Sequence, residues 1–184
     1  MIHRSFSNVG GLLNPTHPRY SGVRTLLRAP YESDLNKVDV GLVGVPFDGG
    51  VTNRPGARYG PNEVRNNSDL VRSINQATKV SPHFIENLKV RDVGDAVVTA
   101  PFRLEESHLE IDQAFKRLCE HSVFPLAVGG DHSVSLPILR ALRNHFKETW
   151  PPFGLIHIDA HADTGENYGG SKFHHGAPFS RAVE

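Results

Sequence analysis

Short apolar runs alternate along this chain with segments of helical spacing, and that order limits the architectures open to it. Residues 38–45 form a nearly continuous apolar run stopped by Pro46, the pattern of a buried strand. Residues 88–93 make a second run closed by Gly94-Asp95, residues 124–128 a third closed by Gly129-Gly130, and residues 153–158 a fourth. Between them, Pro61 opens a short helix, and residues 104–121 and 133–146 read as longer ones. In the 104–121 segment, Leu109, Ala114, Phe115 and Leu118 lie near 3.6-residue spacing, with Glu105 and Glu106 in the first turn. Strands alternating with helices predict an α/β fold with a mostly parallel sheet covered by helices. Residues 47–61, rich in glycine and proline, must form a long loop. Residues 1–36 read as a coiled N-terminal arm, and 37–184 as one α/β domain.

Charge and cysteine usage exclude several classes. Twenty basic and twenty acidic residues cancel, so no global field attracts nucleic acid or anionic lipid. No apolar run approaches the roughly 20 residues needed to cross a bilayer. Cys119 is the single cysteine, which leaves no internal disulfide and fits a reducing compartment. The first 31 residues carry Arg4, Arg19, Arg24 and Arg28 and no acid, as a transit peptide would. Pro15, Pro18 and Pro30 would break the amphipathic helix such a peptide needs, so a cytoplasmic protein is expected over a mitochondrial one.

Six of the eleven histidines fall in the stretch from His132 to His175, and the chemistry gathers there. Asp159, His161 and Asp163 sit at i, i+2 and i+4 directly after the fourth apolar run. On a strand or its extended exit, that spacing points all three to one side. In open α/β sheets, sites form just beyond the carboxyl ends of strands. Two carboxylates and an imidazole with no thiolate suit Mn²⁺, and next Fe²⁺, Ni²⁺ or Co²⁺, over a structural zinc. The bland alternative is a polar loop with one aspartate capping a helix. His157 shares the parity but lies inside the apolar run, where a hydrogen-bonded core histidine is expected.

Val128-Gly129-Gly130-Asp131-His132 leaves the preceding strand on the same rim. Alone, it reads as Asp131 capping a helix beside a surface His132. Together, the two strand exits point to a metal site. Tyr168-Gly169-Gly170-Ser171-Lys172-Phe173-His174-His175-Gly176 is either a loop returning a proton-shuttling histidine or a surface loop with paired histidines. Neither Gly44–Gly50 nor Gly129-Gly130 forms GxGxxG or GxxxxGK[ST], which disfavours nucleotide binding.

These motifs resemble the arginase/agmatinase (ureohydrolase) family. Gly129-Gly130-Asp131-His132 and Asp159-Ala160-His161-Ala162-Asp163 are similar to its first two metal motifs. Gly44-Val45-Pro46-Phe47-Asp48-Gly49-Gly50, with Asn53-Arg54-Pro55-Gly56-Ala57-Arg58-Tyr59-Gly60-Pro61, resembles the loop after the first strand of agmatinases and guanidinobutyrases. Phe173-His174-His175-Gly176-Ala177-Pro178-Phe179 resembles the same branch, and Pro18-Arg19-Tyr20-Ser21-Gly22-Val23 resembles its N-terminal arm. The resemblance implies a three-layer α/β/α fold and a Mn²⁺ pair. His132, Asp159 and Asp163 would hold one ion, and Asp159 with His161 would begin the other. His175 and Asp163 would be the catalytic residues, with His175 also beside the substrate. It further implies a small guanidino substrate, agmatine or guanidinobutyrate first, and a homo-oligomer, trimer or hexamer.

The sequence departs from the family at two points. Arginase's asparagine for the amino-acid head group is replaced by Gly165, which argues against arginine as substrate. After Asp163 the chain has no aspartate, and its acids are Glu166 and Glu184, so the family's later Asp-x-Asp motif is not in this stretch. The resemblance thus covers the N-terminal half of a ureohydrolase. Either the sequence is truncated, or it is a catalytically incomplete paralogue acting as an assembly or regulatory subunit.

Overall fold

A computed structural model of the chain describes residues 18, 20–71, 77–78, 88–148 and 153–184. Most of the expected N-terminal arm, residues 1–17 and 19, lies outside the described residues. Three parallel strands, β1 (Val40–Val45), β2 (Val90–Asp95) and β3 (Phe124–Gly129), form one sheet in the order β2-β1-β3. The register runs Val40 to Val90 on one side of β1, and Val40 to Phe124 through Val45 to Gly129 on the other. Four α-helices are described: α1 (Gly60–Asn67), α2 (Leu104–Glu120), α3 (Ser135–Phe146) and α4 (Pro178–Ala182). No helix among the described residues is long and apolar enough to cross a membrane.

Period-two alternation along β1 divides the core between two faces. Val43 and Val45 face α2 and α3, packing in one cluster with Ile111, Phe115, Leu118 and Ala141. Leu42 faces the other way, against Leu26 and Ala29, with Val64 of α1, Val90 and Val128 around it. Helical layers therefore lie on both sides of a parallel sheet, as the sequence led us to expect. Each fully buried aliphatic or aromatic side chain contributes about 1.5–3 kcal/mol, so a few such layers hold the domain.

Two expectations need correction. Leu109 does not belong to the apolar stripe of α2 and is 61% exposed. Six residues at about 100° each place it about 120° around the helix from Phe115. The buried stripe is instead His108, Ile111, Phe115, Leu118 and Cys119. The second correction is residues 153–158, which form no strand. Apolar content signals burial, but a ladder also needs a neighbour in register at about 4.8 Å. Ile156 and Ile158 are instead exposed.

A buried ion pair fixes the face carrying Leu42. Asp92, only 2% exposed, accepts two bonds from Arg65, from Nε at 3.0 Å and Nη2 at 3.1 Å. It also accepts the backbone N–H groups of Leu26 at 2.8 Å and Gly94 at 2.9 Å. Arg65 reaches on to Asp95 Oδ1 at 2.7 Å. One carboxylate thereby joins α1, β2 and the segment preceding β1.

Candidate metal centre

The β1 and β3 strands stay linked past their ends. Gly130 N–H donates to Val45 O and Asp131 N–H to Phe47 O, both at 2.9 Å. This draws the loop after β1 and the exit of β3 together at the carboxyl edge of the sheet. The loop itself winds around buried Asp48, which accepts Gly56 N–H at 2.7 Å and the Arg58 guanidinium. The hydrogen bond from Arg58 holds the Asp48 carboxyl below the usual carboxylate range. Asp131 caps the turn His132–Val134 by accepting Ser133 N–H at 2.7 Å, so the capping expected of it and the presentation of His132 are one arrangement.

His132 meets the segment after residue 158. Its Nδ1 is hydrogen-bonded to Asp163 Oδ2 and lies 3.5 Å from Asp159 Oδ2. His157, Asp159, Asp163 and His132 offer four ligand atoms within 4.8 Å of one another. The geometry that joins them is not strand alternation. Asp159 Oδ1 accepts His161 N–H at 2.9 Å, which folds the chain into a bend. Asp163 then sits in the left-handed region at φ 49°, a conformation that aspartate tolerates better than most residues. The turn brings Asp159 and Asp163 inward and leaves the His161 side chain 82% exposed, with Nδ1 3.7 Å from Asp159 Oδ1. The His161 backbone N–H, more than the nearby histidines, holds the Asp159 carboxyl below its ordinary range.

His157 differs from the hydrogen-bonded core histidine the sequence suggested. Its Nε2 is buried with no hydrogen-bond partner among the described residues, 3.5 Å from Asp159 Oδ2. The position of His157 two residues before Asp159 was the signal available for grouping it with the ligands. A buried imidazole nitrogen left unsatisfied beside two carboxylates fits a cation, and the oxygen/nitrogen donor set fits Mn²⁺ chemistry. Phe179 of α4 closes the back of the cluster, its ring 4.3 Å from that of His157 and 5.4 Å from that of His132. Its N–H donates to Asp163 O at 3.2 Å.

The glycine-rich loop returns to this edge. His175 N–H donates to Gly50 O at 2.9 Å, and its Nε2 lies 2.9 Å from Thr52 Oγ1. His174, its neighbour, instead packs on Gly165. A Cβ at Gly165 would stand 2.8 Å from Gly176 O and 3.2 Å from the His174 ring. No asparagine side chain fits there without moving backbone.

Behind the loop, His108 is buried, its Nε2 3.2 Å from Ser133 Oγ and its ring edge-on to Phe47 and Phe173. Burial, with Arg140 adding, pushes its pKa down to about 4. The imidazole is therefore neutral in the fold while the unfolded chain takes up a proton near pH 6.5. Stability from this group is complete above that pH and falls as pH drops towards 4, by on the order of 3 kcal/mol. Urea unfolding of wild type and His108→Gln between pH 7 and 4 should show the wild type losing the larger amount. Parallel curves would contradict the assignment.

Residues 38–184 match the model of the arginase family. The guanidinopropionase of Pseudomonas aeruginosa is 44% identical over 168 residues, covering 91% of this chain and 50% of that protein. The structure of proclavaminate amidino hydrolase from Streptomyces clavuligerus superposes with a TM-score of 0.80 at 32% identity, covering 91% of this chain and 53% of the other. Trypanosoma cruzi formiminoglutamase with Mn2+2 superposes with a TM-score of 0.71 at 28% identity, covering 89% and 53%. The chain spans about half the length of the curated relatives it matches.

Proposed function

The chain belongs to the arginase family, and on that premise we propose that its site serves a binuclear metal hydrolase acting on a linear guanidino compound. The observation that carries this reading is the convergence of His132, His157, Asp159 and Asp163 at the carboxyl edge of a parallel sheet. His132, Asp159 and Asp163 would hold one Mn²⁺, and Asp159 with His161 would begin the second site. A bound pair of divalent cations lowers the pKa of water, supplying hydroxide at neutral pH.

The remaining steps belong to side chains of the chain. Water adds to the guanidinium carbon, a C–N bond breaks, and urea and an amine leave. Asp163, hydrogen-bonded to His132, would accept a proton from the adding water. His175, its Nε2 2.9 Å from Thr52 Oγ1, would pass a proton to the departing amine. The Gly176 carbonyl and the His174 ring fill the space beside Gly165, so an α-amino-acid head group finds no side-chain donor from residue 165. Agmatine, 4-guanidinobutyrate and 3-guanidinopropionate are accordingly favoured over arginine.

The test is urea release from these compounds by the Mn²⁺-loaded full gene product, with arginine as the poor comparator. Activity should appear with at least one of the three. A protein that holds metal yet frees no urea from any linear guanidine would overturn the proposal. Exposed Ile156, Ile158, Phe124 and Leu126 favour a second reading, an incomplete relative acting as an assembly or regulatory subunit. That reading predicts self-association or pairing with another chain, and no urea.

A further inference from the structure

We infer that Asp131 is a positioning residue that sets two arms of the site at once, the metal-binding His132 and the proton-transferring His175. The inference rests on the metal-hydrolase reading for what those histidines do, and on hydrogen bonds alone for how they are joined. Asp131 is only 5% exposed, and each of its oxygens accepts a backbone N–H. Oδ1 takes Ser133 N–H at 2.7 Å, which fixes the turn that opens with His132. Oδ2 takes Gly50 N–H at 2.8 Å, across 81 residues of sequence. The other side of Gly50 is equally committed: its carbonyl accepts His175 N–H at 2.9 Å. Two residues on, Thr52 Oγ1 meets His175 Nε2.

Beside the backbone bonds from Gly130 and Asp131 to Val45 and Phe47, one side-chain path from His132 to His175 therefore runs through this buried carboxylate. A helix cap alone would need one oxygen. Here the second oxygen holds a loop whose position decides where His175 stands. Ser133 closes the joint from behind. It is 1% exposed, its hydroxyl faces His108 Nε2, and a Cβ on Gly50 would meet Ser133 Oγ at 2.6 Å. The two strands' exits cannot slide past one another without breaking at least one of these contacts. An amide cannot replace the carboxylate here, because two N–H donors require two acceptor oxygens and asparagine offers one.

The test compares Mn²⁺ binding, read from the electron paramagnetic resonance signal of free Mn²⁺, with amide hydrogen exchange of His175 read by NMR. Asp131→Asn should weaken Mn²⁺ binding at least tenfold and speed His175 amide exchange at least tenfold. A merely capping Asp131 would affect Mn²⁺ and leave the His175 amide protected, and that result overturns the inference, as does no change in either. Gly50→Ala keeps the Asp131 carboxylate but pushes on the same joint, its Cβ standing 2.6 Å from Ser133 Oγ and 3.2 Å from Asp131 Oδ1, and should reproduce both effects, which keeps the test open if Asp131→Asn fails to fold. Thr52→Val should leave Mn²⁺ binding within twofold, since it severs the His175 arm only. A wild-type chain that binds no Mn²⁺ refutes the metal reading, and the His175 amide then decides the coupling on its own.

Discussion

Replacing Asp159 and Asp163 together with asparagine will weaken Mn²⁺ binding by more than about a hundredfold. Removing residues that merely orient metal ligands costs about 10–100-fold, and in the proposed site these two carboxylates would be ligands themselves. Asparagine is the better probe because Asp163 stands at φ 49°, where alanine would add backbone strain unrelated to metal. The amide oxygen can also keep the bond from His161 N–H, so the bend survives. Circular dichroism should be unchanged while the free Mn²⁺ signal rises. Single changes at His157 and His161 then divide the histidines: the one whose loss weakens the first ion is its ligand. Equal Mn²⁺ affinity in the wild type and the double variant would remove the metal centre from this structure.

Arg65→Met will destabilise the fold by roughly 3–5 kcal/mol, because it leaves Asp92 charged, buried and without its countercharge. The two backbone donors on Asp92, from Leu26 and Gly94, remain, but they do not neutralise it. In a domain of this size the loss corresponds to a fall in Tm of roughly 6–20 °C. The exposed pair Arg103–Glu106 is the comparison: its removal should cost under about 1 kcal/mol. Urea denaturation measures both. An Arg65 variant as stable as the Arg103 variant would show that the ion pair is dispensable.

The parallel strands and the helices could be read in advance from apolar runs and helical spacing, which report burial at β1, α2 and α3; the order β2-β1-β3 was not in that signal. Residues 153–158 carried the same signal and misled, since their apolar side chains said nothing about whether a neighbouring strand pairs with them. At the site, the residue types were legible from their positions, Asp159 after an apolar run and His132 after Gly129-Gly130. Their geometry was not. The bend at Asp159 and the left-handed Asp163 depend on a side-chain-to-backbone bond and one backbone angle, neither of which appears in a hydrophobicity pattern. The same holds for His157, whose place in an apolar run suggested a satisfied core residue. Asp131 was visible as a cap, but its second bond spans 81 residues and belongs to tertiary structure.

The backing of the centre by Phe179 has a temporal side. Synthesis delivers β3 and His132 well before α4, and at about 5–20 residues per second the interval is roughly 3–10 seconds. During it, a nascent chain can assemble its sheet while His132 has neither its carboxylates nor the ring that seats it. On the metal-hydrolase reading, cation capture would thus follow the scaffold's formation in each new chain.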